Sequence, residues 1–141
     1  MQLGAQIQVS RTPQVWHAAK VAEVKIGLVL DCADPETLAA FWEQALRVKR
    51  LGAAGNYVLL ASPSGALPNL LLQRVSEPKV AKNRMHLDVE TPDVDGEVER
   101  LEGIGAHRLE EHTRTEHGRR WVIMVDPDGN EFCVCDGGSA G

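Results

Sequence analysis

The sequence contains few aromatic residues and few cysteines, and it has no long hydrophobic run. Its 141 residues include three Trp, two Phe and one Tyr, so each aromatic ring is informative about packing or ligand stacking. Three Cys is an odd number and no CxxC pair occurs, which suits a reducing compartment and argues against a disulfide framework. Apolar runs such as residues 26–30 are far too short to cross a bilayer.

Basic side chains are also in the minority. The chain has 15 Lys and Arg against 20 Asp and Glu, a net charge of −5, which counts against a nucleic-acid partner because phosphate binding needs clustered cations. The first ten residues lack the basic start and apolar stretch of a secretory signal, so we expect a cytoplasmic protein. GxSxG, Walker A and GxGxxG motifs are absent, which argues against serine hydrolases and nucleotide binders. We expect one ordinary domain with neither a nucleic-acid nor a membrane partner.

Hydrophobic periodicity predicts a strand, a helix and further strands in the first half. The run VKIGLVLDC at residues 24–32 is typical of a strand. Asp34 can cap a helix whose first residue is Pro35. The apolar spacing that follows is that of an amphipathic helix, formed by Leu38, Phe41, Trp42, Ala45 and Leu46. NYVLLASP and LPNLLLQRV then predict two strands joined through the turn SPSG.

The same order returns after a polar connector at residues 76–83. RMHLDVE predicts a strand, TPDVDGEVERLEGIG predicts a helix, and AHRLEEHT, RRWVIMVDP and NEFCVC predict three strands. Asp34 follows Gly27 by seven residues and Asp93 follows His86 by seven, so the two units share one register at an offset of 59. We therefore predict two pseudo-symmetric βαβββ units in one α+β domain around a shared cavity. The alternative to a true repeat is that the two halves resemble each other by chance, because such turns and helix starts are common.

Three stretches, DCADPETLAAFW, NRMHLDVETPD and WVIMVDPDGNEFCV, resemble the vicinal oxygen chelate superfamily. This is the fold of glyoxalase I, extradiol dioxygenases and the fosfomycin and bleomycin resistance proteins, and the stretches resemble in particular its branch of small, single-module glyoxalase-like proteins. The resemblance covers residues 24–136. It implies two βαβββ modules whose curled mixed sheets enclose a central cleft, and usually a homodimer.

The domain limits follow from the pattern and the resemblance together. We expect an N-terminal arm at 1–23, in which Trp16 could contact the body or a partner subunit. The single domain at 24–136 divides into a first module at 24–75, the connector at 76–83 and a second module at 84–136. Residues 137–141 are expected to form a flexible tail.

The resemblance also implies where a metal would be bound. In the superfamily's metalloenzymes one ligand comes from each of four strands, and the matching positions here are Gly27, Gln73, His86 and Cys133. A hard divalent ion needs His and carboxylate ligands in a fixed number and geometry. These four positions offer instead one imidazole, one amide, one thiol and a glycine without a side chain. We therefore predict no metal cofactor. A softer ion such as Zn²⁺, held by His86 and Cys133 with Glu131 or Asp88 shifted in, is the alternative.

His86 is the candidate catalytic residue. It could act as a general acid or base, tuned by Asp88 or Glu131, or it could simply hydrogen-bond a ligand or a backbone carbonyl. Cys133 is most simply a small buried hydrophobe, since a reactive thiol would need a lowered pKa.

Asp88, Glu131 and Cys133 are also candidate ligand-binding residues, and the remaining candidates are Gln73 and two aromatic side chains. Trp121 and Tyr57 stand at matching places in the two halves, where they could form a stacking pair. His107, His112 and His117, among charged neighbours, are expected to lie in a solvated hairpin and not in a metal cluster.

These residues predict a protein that binds a small organic molecule in its cleft without the superfamily's usual metal. It would act as a binding or sequestering protein, or as a metal-free enzyme of the lyase or isomerase type. The alternative is a metal-dependent lyase, isomerase or dioxygenase. A third class is an assembly module that uses the arm and binds no ligand.

Overall fold

The computed structural model describes residues 26–137. The predicted arm, including Trp16, lies outside the described residues, and so does the predicted tail apart from Gly137.

The first module is a four-stranded mixed sheet with one helix. Its elements are β1 (Leu28–Cys32), α1 (Pro35–Leu46), β2 (Lys49–Ala54), β3 (Tyr57–Ala61) and β4 (Leu70–Arg74). The strand order is β1-β4-β3-β2, and β1 runs parallel to β4 while the other neighbours are antiparallel. Alternate residues of β3 and β4 are buried on the side that contacts α1.

Helix α1 begins as its sequence predicts. The Asp34 carboxylate accepts a hydrogen bond from the backbone N–H of Glu36 at 3.1 Å, and Pro35 is the first helical residue. The predicted apolar stripe faces the sheet, where Leu38, Phe41, Trp42 and Ala45 are buried.

The second module repeats this plan with one change. Its elements are β5 (Asp88–Glu90), α2 (Val94–Gly103), β6 (His107–Arg108), β7 (Arg114–Glu116), β8 (Arg119–Val125) and β9 (Glu131–Cys135). The strand order is β5-β9-β8-β6, with β5 parallel to β9, and β7 also pairs with β8. Helix α2 contacts β8 and β9, and none of the other elements between residues 26 and 137 covers the opposite face of this sheet.

One predicted strand differs from the structure, and one strand of the structure was not predicted. AHRLEEHT does not form one long strand: β6 covers two residues, and β7 then forms a tight hairpin with β8 through His117 and Gly118, whose φ angles are +49° and +74°. The charged run has no alternating apolar face that would hold it against a core. Strand β2 was not identified from its own residues, because all six are exposed and its register shifts between Arg50 and Gly52.

The two modules share one hydrophobic core. Trp42 of α1 packs against Phe132 of β9 with ring centroids 5.2 Å apart, and its indole N–H donates to the buried carboxylate of Asp126 at 3.1 Å. Arg100 of α2 donates to the carbonyl oxygens of Gln44 and Ala45 at the end of α1. The predicted α+β class with two mixed-sheet modules is confirmed, with the outer strand of the second module split in two. Neither helix between residues 26 and 137 is long and apolar enough to span a membrane.

Candidate functional site

Two hollows meet at His86. The first is a mainly apolar cavity of about 150 Å³ between β1 and the segment that leads into β5, and both Gly27 and His86 border it. The second is an open hollow of about 410 Å³ on the sheet face turned away from α2. The second hollow is lined by His86, Asp88, Glu116, His117, Arg119, Trp121 and Cys133. The predicted catalytic residue and three of the predicted ligand-binding residues therefore share one site.

Pairing of β5 with β9 brings three chemically active side chains together. The two strands are parallel, Asp88 lies opposite Cys133, and the backbone N–H of Cys133 donates to the carbonyl of Leu87 at 2.9 Å. His86 precedes Asp88 by two residues and so projects from the same face. His86 Nε2 lies 3.4 Å from Asp88 Oδ1. Together with the Cys133 sulfur, one donor atom from each residue lies within 4.8 Å of the others.

Cys133 is a protonated thiol at neutral pH. Burial of the side chain, followed by the negative charge of Asp88, raises its pKa to about 11. A reactive thiol requires a lowered pKa, so the structure does not support a nucleophilic role.

Glu131 faces the connector and not the three-residue cluster. Its two carboxylate oxygens accept from Lys79 Nζ and from the backbone N–H of Asn83, each at 2.9 Å. Burial acts to raise the pKa of Glu131, but these hydrogen bonds outweigh it and hold the pKa below its ordinary value. Glu131 therefore anchors the segment before His86, and Asp88 is the carboxylate beside the imidazole.

Gln73 and Tyr57 belong to the first sheet, where they lie opposite each other in the β3–β4 ladder. Tyr57 borders a different hollow, with Leu51, Leu59 and Leu71. Trp121 and Tyr57 consequently do not line one site within this chain, and the predicted stacking pair stays a prediction.

The hairpin of β7 and β8 supplies three lining residues that the sequence did not assign to the site. Glu116, His117 and Arg119 stand at the rim of the open hollow. The Arg119 guanidinium lies 3.2 Å from the carbonyl oxygen of Asp136 and 3.8 Å from the Cys135 sulfur. The sequence offered one weak signal for this hairpin, the dipeptide His117-Gly118 between two short strands. Two-residue hairpin turns need positive φ angles at both residues, for which Asn-Gly or Asp-Gly is the usual pair.

A sequence model of the glyoxalase-like domain matches residues 27–135. This chain belongs to that family. The chain adopts the vicinal oxygen chelate fold of the glyoxalase/bleomycin resistance/dioxygenase superfamily. No curated protein sequence is similar enough to the chain to match it.

Three solved structures illustrate the likeness. A hypothetical protein, SA1046 from S. aureus, is 17% identical with a TM-score of 0.65, and the match covers 82% of this chain and 94% of that one. A glyoxalase/bleomycin resistance protein/dioxygenase family enzyme from Burkholderia phytofirmans PsJN is 17% identical with a TM-score of 0.64, covering 77% and 94%. A glyoxalase/bleomycin resistance protein/dioxygenase from Nocardioides is 16% identical with a TM-score of 0.65, covering 87% and 89%. At these identities the glyoxalase-like chain shares the fold.

The residues of this glyoxalase-like protein do not fit a four-ligand site for a hard divalent ion. Gly27 contributes no donor, and an added Cβ there would meet no atom within 4 Å. Gln73 lies beside Tyr57 on the first sheet, away from the hollow that Cys133 lines. A thiol replaces the carboxylate that hard ions prefer. What the structure groups is a different donor set, namely His86, Asp88 and Cys133.

Proposed function

We propose that this glyoxalase-like protein binds a small organic molecule in the open hollow around His86, without the superfamily's four-ligand divalent site. The observation that carries the proposal is the grouping of Trp121, His86 and Asp88 along one concave surface. Its volume of about 410 Å³ falls within the range of roughly 300–1,000 Å³ typical of small-molecule sites.

The lining favours a ligand with an apolar part and a polar end. The Trp121 ring offers one flat apolar wall, while Arg119 provides a fixed cation and the imidazole of His86 can donate or accept a hydrogen bond. A large planar molecule held between two rings is disfavoured, because Tyr57 is on the other sheet. We expect a small and partly aliphatic molecule, which the protein sequesters or transforms.

If the protein is an enzyme, His86 is the residue that moves a proton. Its imidazole reaches the hollow, and Asp88 at 3.4 Å is close enough to orient it. A lyase or isomerase step needs a proton taken from one carbon and returned elsewhere, and a single imidazole can do both.

The test is a thermal-shift screen of metabolites and antibiotics in buffer that contains a chelator, followed by titration of any hit. A ligand raises stability according to its concentration relative to Kd. Trp121→Ala should weaken binding by about tenfold or more, which corresponds to the 0.5–1.5 kcal/mol of an aromatic contact plus the buried area of the ring. The matched control is Tyr57→Ala, which removes an aromatic ring from the other hollow and should leave the affinity unchanged.

His86→Ala separates binding from catalysis. If His86 is catalytic, the variant no longer turns over the ligand found in the screen, while its affinity for that ligand stays within a few-fold of wild type. If the protein only binds the ligand, the substitution changes the affinity and there is no turnover to lose. Equal losses of affinity in Tyr57→Ala and Trp121→Ala would contradict the proposed site.

A metal-dependent lyase, isomerase or dioxygenase is the second candidate. The observation in its favour is the cluster of three donor atoms within 4.8 Å of one another. Elemental analysis of protein purified without chelator decides between the two, because stoichiometric metal contradicts metal-free binding.

We further propose a cytoplasmic homodimer, the assembly that is usual for this fold. The open face of the first sheet supports it, since the apolar side chains of Val29 and Leu51 are 59% and 68% exposed. Light scattering coupled to gel filtration should give twice the monomer mass of 15.4 kDa, and Leu51→Glu should lower it. A monomeric wild-type protein would refute the proposal.

A further inference from the structure

We propose that the inner cavity, the apolar space of about 150 Å³ between β1 and the segment that leads into β5, binds a small uncharged molecule with one hydrocarbon ring or an aliphatic group of similar size. Among the described residues, the inner cavity and the open hollow share only His86. The inner cavity is therefore a second site, and the inference does not depend on the organic ligand proposed for the open hollow.

The walls of the inner cavity come from both modules. The first module supplies Trp42 of α1 and Leu70 of β4, the second supplies Phe132 of β9, and these three side chains are 1%, 3% and 1% exposed. Leu28 and Leu30, two residues apart on β1, pack against the same core. The packing that joins the modules therefore fixes the deep walls, and an occupant contacts side chains of both modules.

Side chains alone close the space between the two sheets at this place. In the described part of the chain, β1 and β5 are end strands of separate sheets with no backbone ladder between them. Gly27, which directly precedes β1, adds no side chain, and a Cβ built there would meet no atom within 4 Å. Met85, before β5, is 78% exposed, and its flexible side chain can move aside for a ligand. Gly27 and Met85 thus mark the entrance.

The chemistry of the lining disfavours a charged ligand, because its polar residues are already engaged. The two Glu131 oxygens accept hydrogen bonds from Lys79 and from the backbone N–H of Asn83. The Asn130 amide donates to Asp126 at 3.2 Å. A charge moved from water into this space would lack a partner, which opposes binding. Apolar cavities of about 150 Å³ stay dry and admit a benzene ring, so size and polarity select the same class of molecule.

The experiment is a ¹⁵N-resolved NMR titration of the full-length protein with toluene, and with benzoate as a charged molecule of similar size. Toluene should shift the indole N–H signal of Trp42 and the backbone signals of Leu30 and Phe132 saturably, with a Kd of about 1 mM or tighter. The Trp121 indole signal should stay unchanged, because Trp121 lines the other space. Benzoate should produce no saturable shift at Trp42.

Gly27→Leu tests the entrance, and Gly52→Leu is its matched control. Both glycines have open space where a side chain would begin, so both variants should fold. Leucine at position 27 occupies the mouth of the inner cavity and should weaken toluene binding by at least about tenfold. Gly52 borders the hollow beside Tyr57, and its replacement should leave the Kd for toluene within about twofold of wild type.

Leu30→Ala tests the cavity in the opposite direction. Loss of the larger side chain widens the space, so the two-ring molecule 2-naphthol should bind this variant at least about tenfold more tightly than it binds wild type. This gain of binding is a readout that a general loss of stability would not produce.

A toluene titration that moves Trp121 and leaves Trp42 unchanged would overturn the inference, because it would place toluene in the open hollow. Absence of any saturable shift, equal Kd values for Gly27→Leu and wild type, or saturable binding of benzoate at Trp42 would also overturn it. None of these outcomes bears on the Trp121→Ala test of the open hollow, so the two proposals fail separately.

Discussion

Trp42 and Asp126 form a buried hydrogen bond that ties helix α1 of the first module to the loop before β9 in the second. Both side chains are 1% exposed, and the indole Nε1 lies 3.1 Å from Oδ2 of the carboxylate. Oδ1 accepts from the backbone N–H groups of Asp128 and Asn130, each at 2.9 Å. In Asp126→Asn the side chain keeps one oxygen, which stays bonded to the N–H groups of Asp128 and Asn130. The new NH₂ group then faces the indole N–H of Trp42, and two donors cannot form a hydrogen bond.

The size of the coupling follows from these contacts. In the wild-type protein, Trp42→Phe removes a hydrogen bond to a charged acceptor, about 1.5–3 kcal/mol. The smaller ring leaves a void that adds about 1 kcal/mol. In Asp126→Asn the bond is already lost, so the same truncation should cost only about 1 kcal/mol. The double-mutant cycle should therefore give a coupling free energy of about 1.5–3 kcal/mol.

Urea unfolding of the four proteins, followed by circular dichroism, measures this quantity. A single transition in each protein is also expected, because the bond lies in a core that both modules share. Additive effects of the two substitutions, or separate transitions for the two modules, would show that this bond does not couple the modules.

Three further predictions concern single groups. Glu131→Gln should lower the free energy of unfolding by about 1 kcal/mol and speed proteolysis within 76–83, because Lys79 loses its partly buried partner; unchanged cleavage would contradict the anchoring role. Cys133, with a pKa of about 11, should react with iodoacetamide at neutral pH at least roughly tenfold more slowly than an ordinary cysteine, as residue-resolved mass spectrometry can test, and a rate equal to or above the ordinary one would refute the assignment. Burial raises the pKa of Asp126, so the folded protein holds that proton more tightly than the unfolded chain. Its contribution to stability should then fall as pH rises from the ordinary Asp value through the raised one, and the stability of wild type relative to Asp126→Asn across the acidic range measures this.

Local signals were sufficient for the elements that depend on neighbouring residues. Asp34 and Pro35 determine the start of α1 through backbone contacts within one turn, and the structure confirms that start. Strand β2 could not be found in the same way, since its exposed and glycine-containing residues are held only by pairing with β3. The predicted strand at AHRLEEHT fails for a related reason, because its charged side chains have no apolar face to bury.

The candidate site was only partly predictable. Alternation places His86 and Asp88 on one face, which the sequence shows directly. Their approach to Cys133 depends on the β5–β9 register, a pairing over more than 40 residues that no local pattern encodes. The role of Glu131 depends on the path of the connector, which carries Lys79 and Asn83 to its two oxygens.

Binding of a small organic molecule in the open hollow on the second sheet can be observed by a ¹⁵N-resolved NMR titration of the tryptophan indole N–H signals, with the strongest stabiliser from the thermal-shift screen as the ligand. We predict that the Trp121 signal moves on binding together with the backbone signals of His86 and Cys133, whereas the Trp42 indole, bonded to Asp126 in the core, stays unchanged. Shifts centred on Tyr57 and Leu51, or no saturable shift at Trp121, would contradict binding in this hollow.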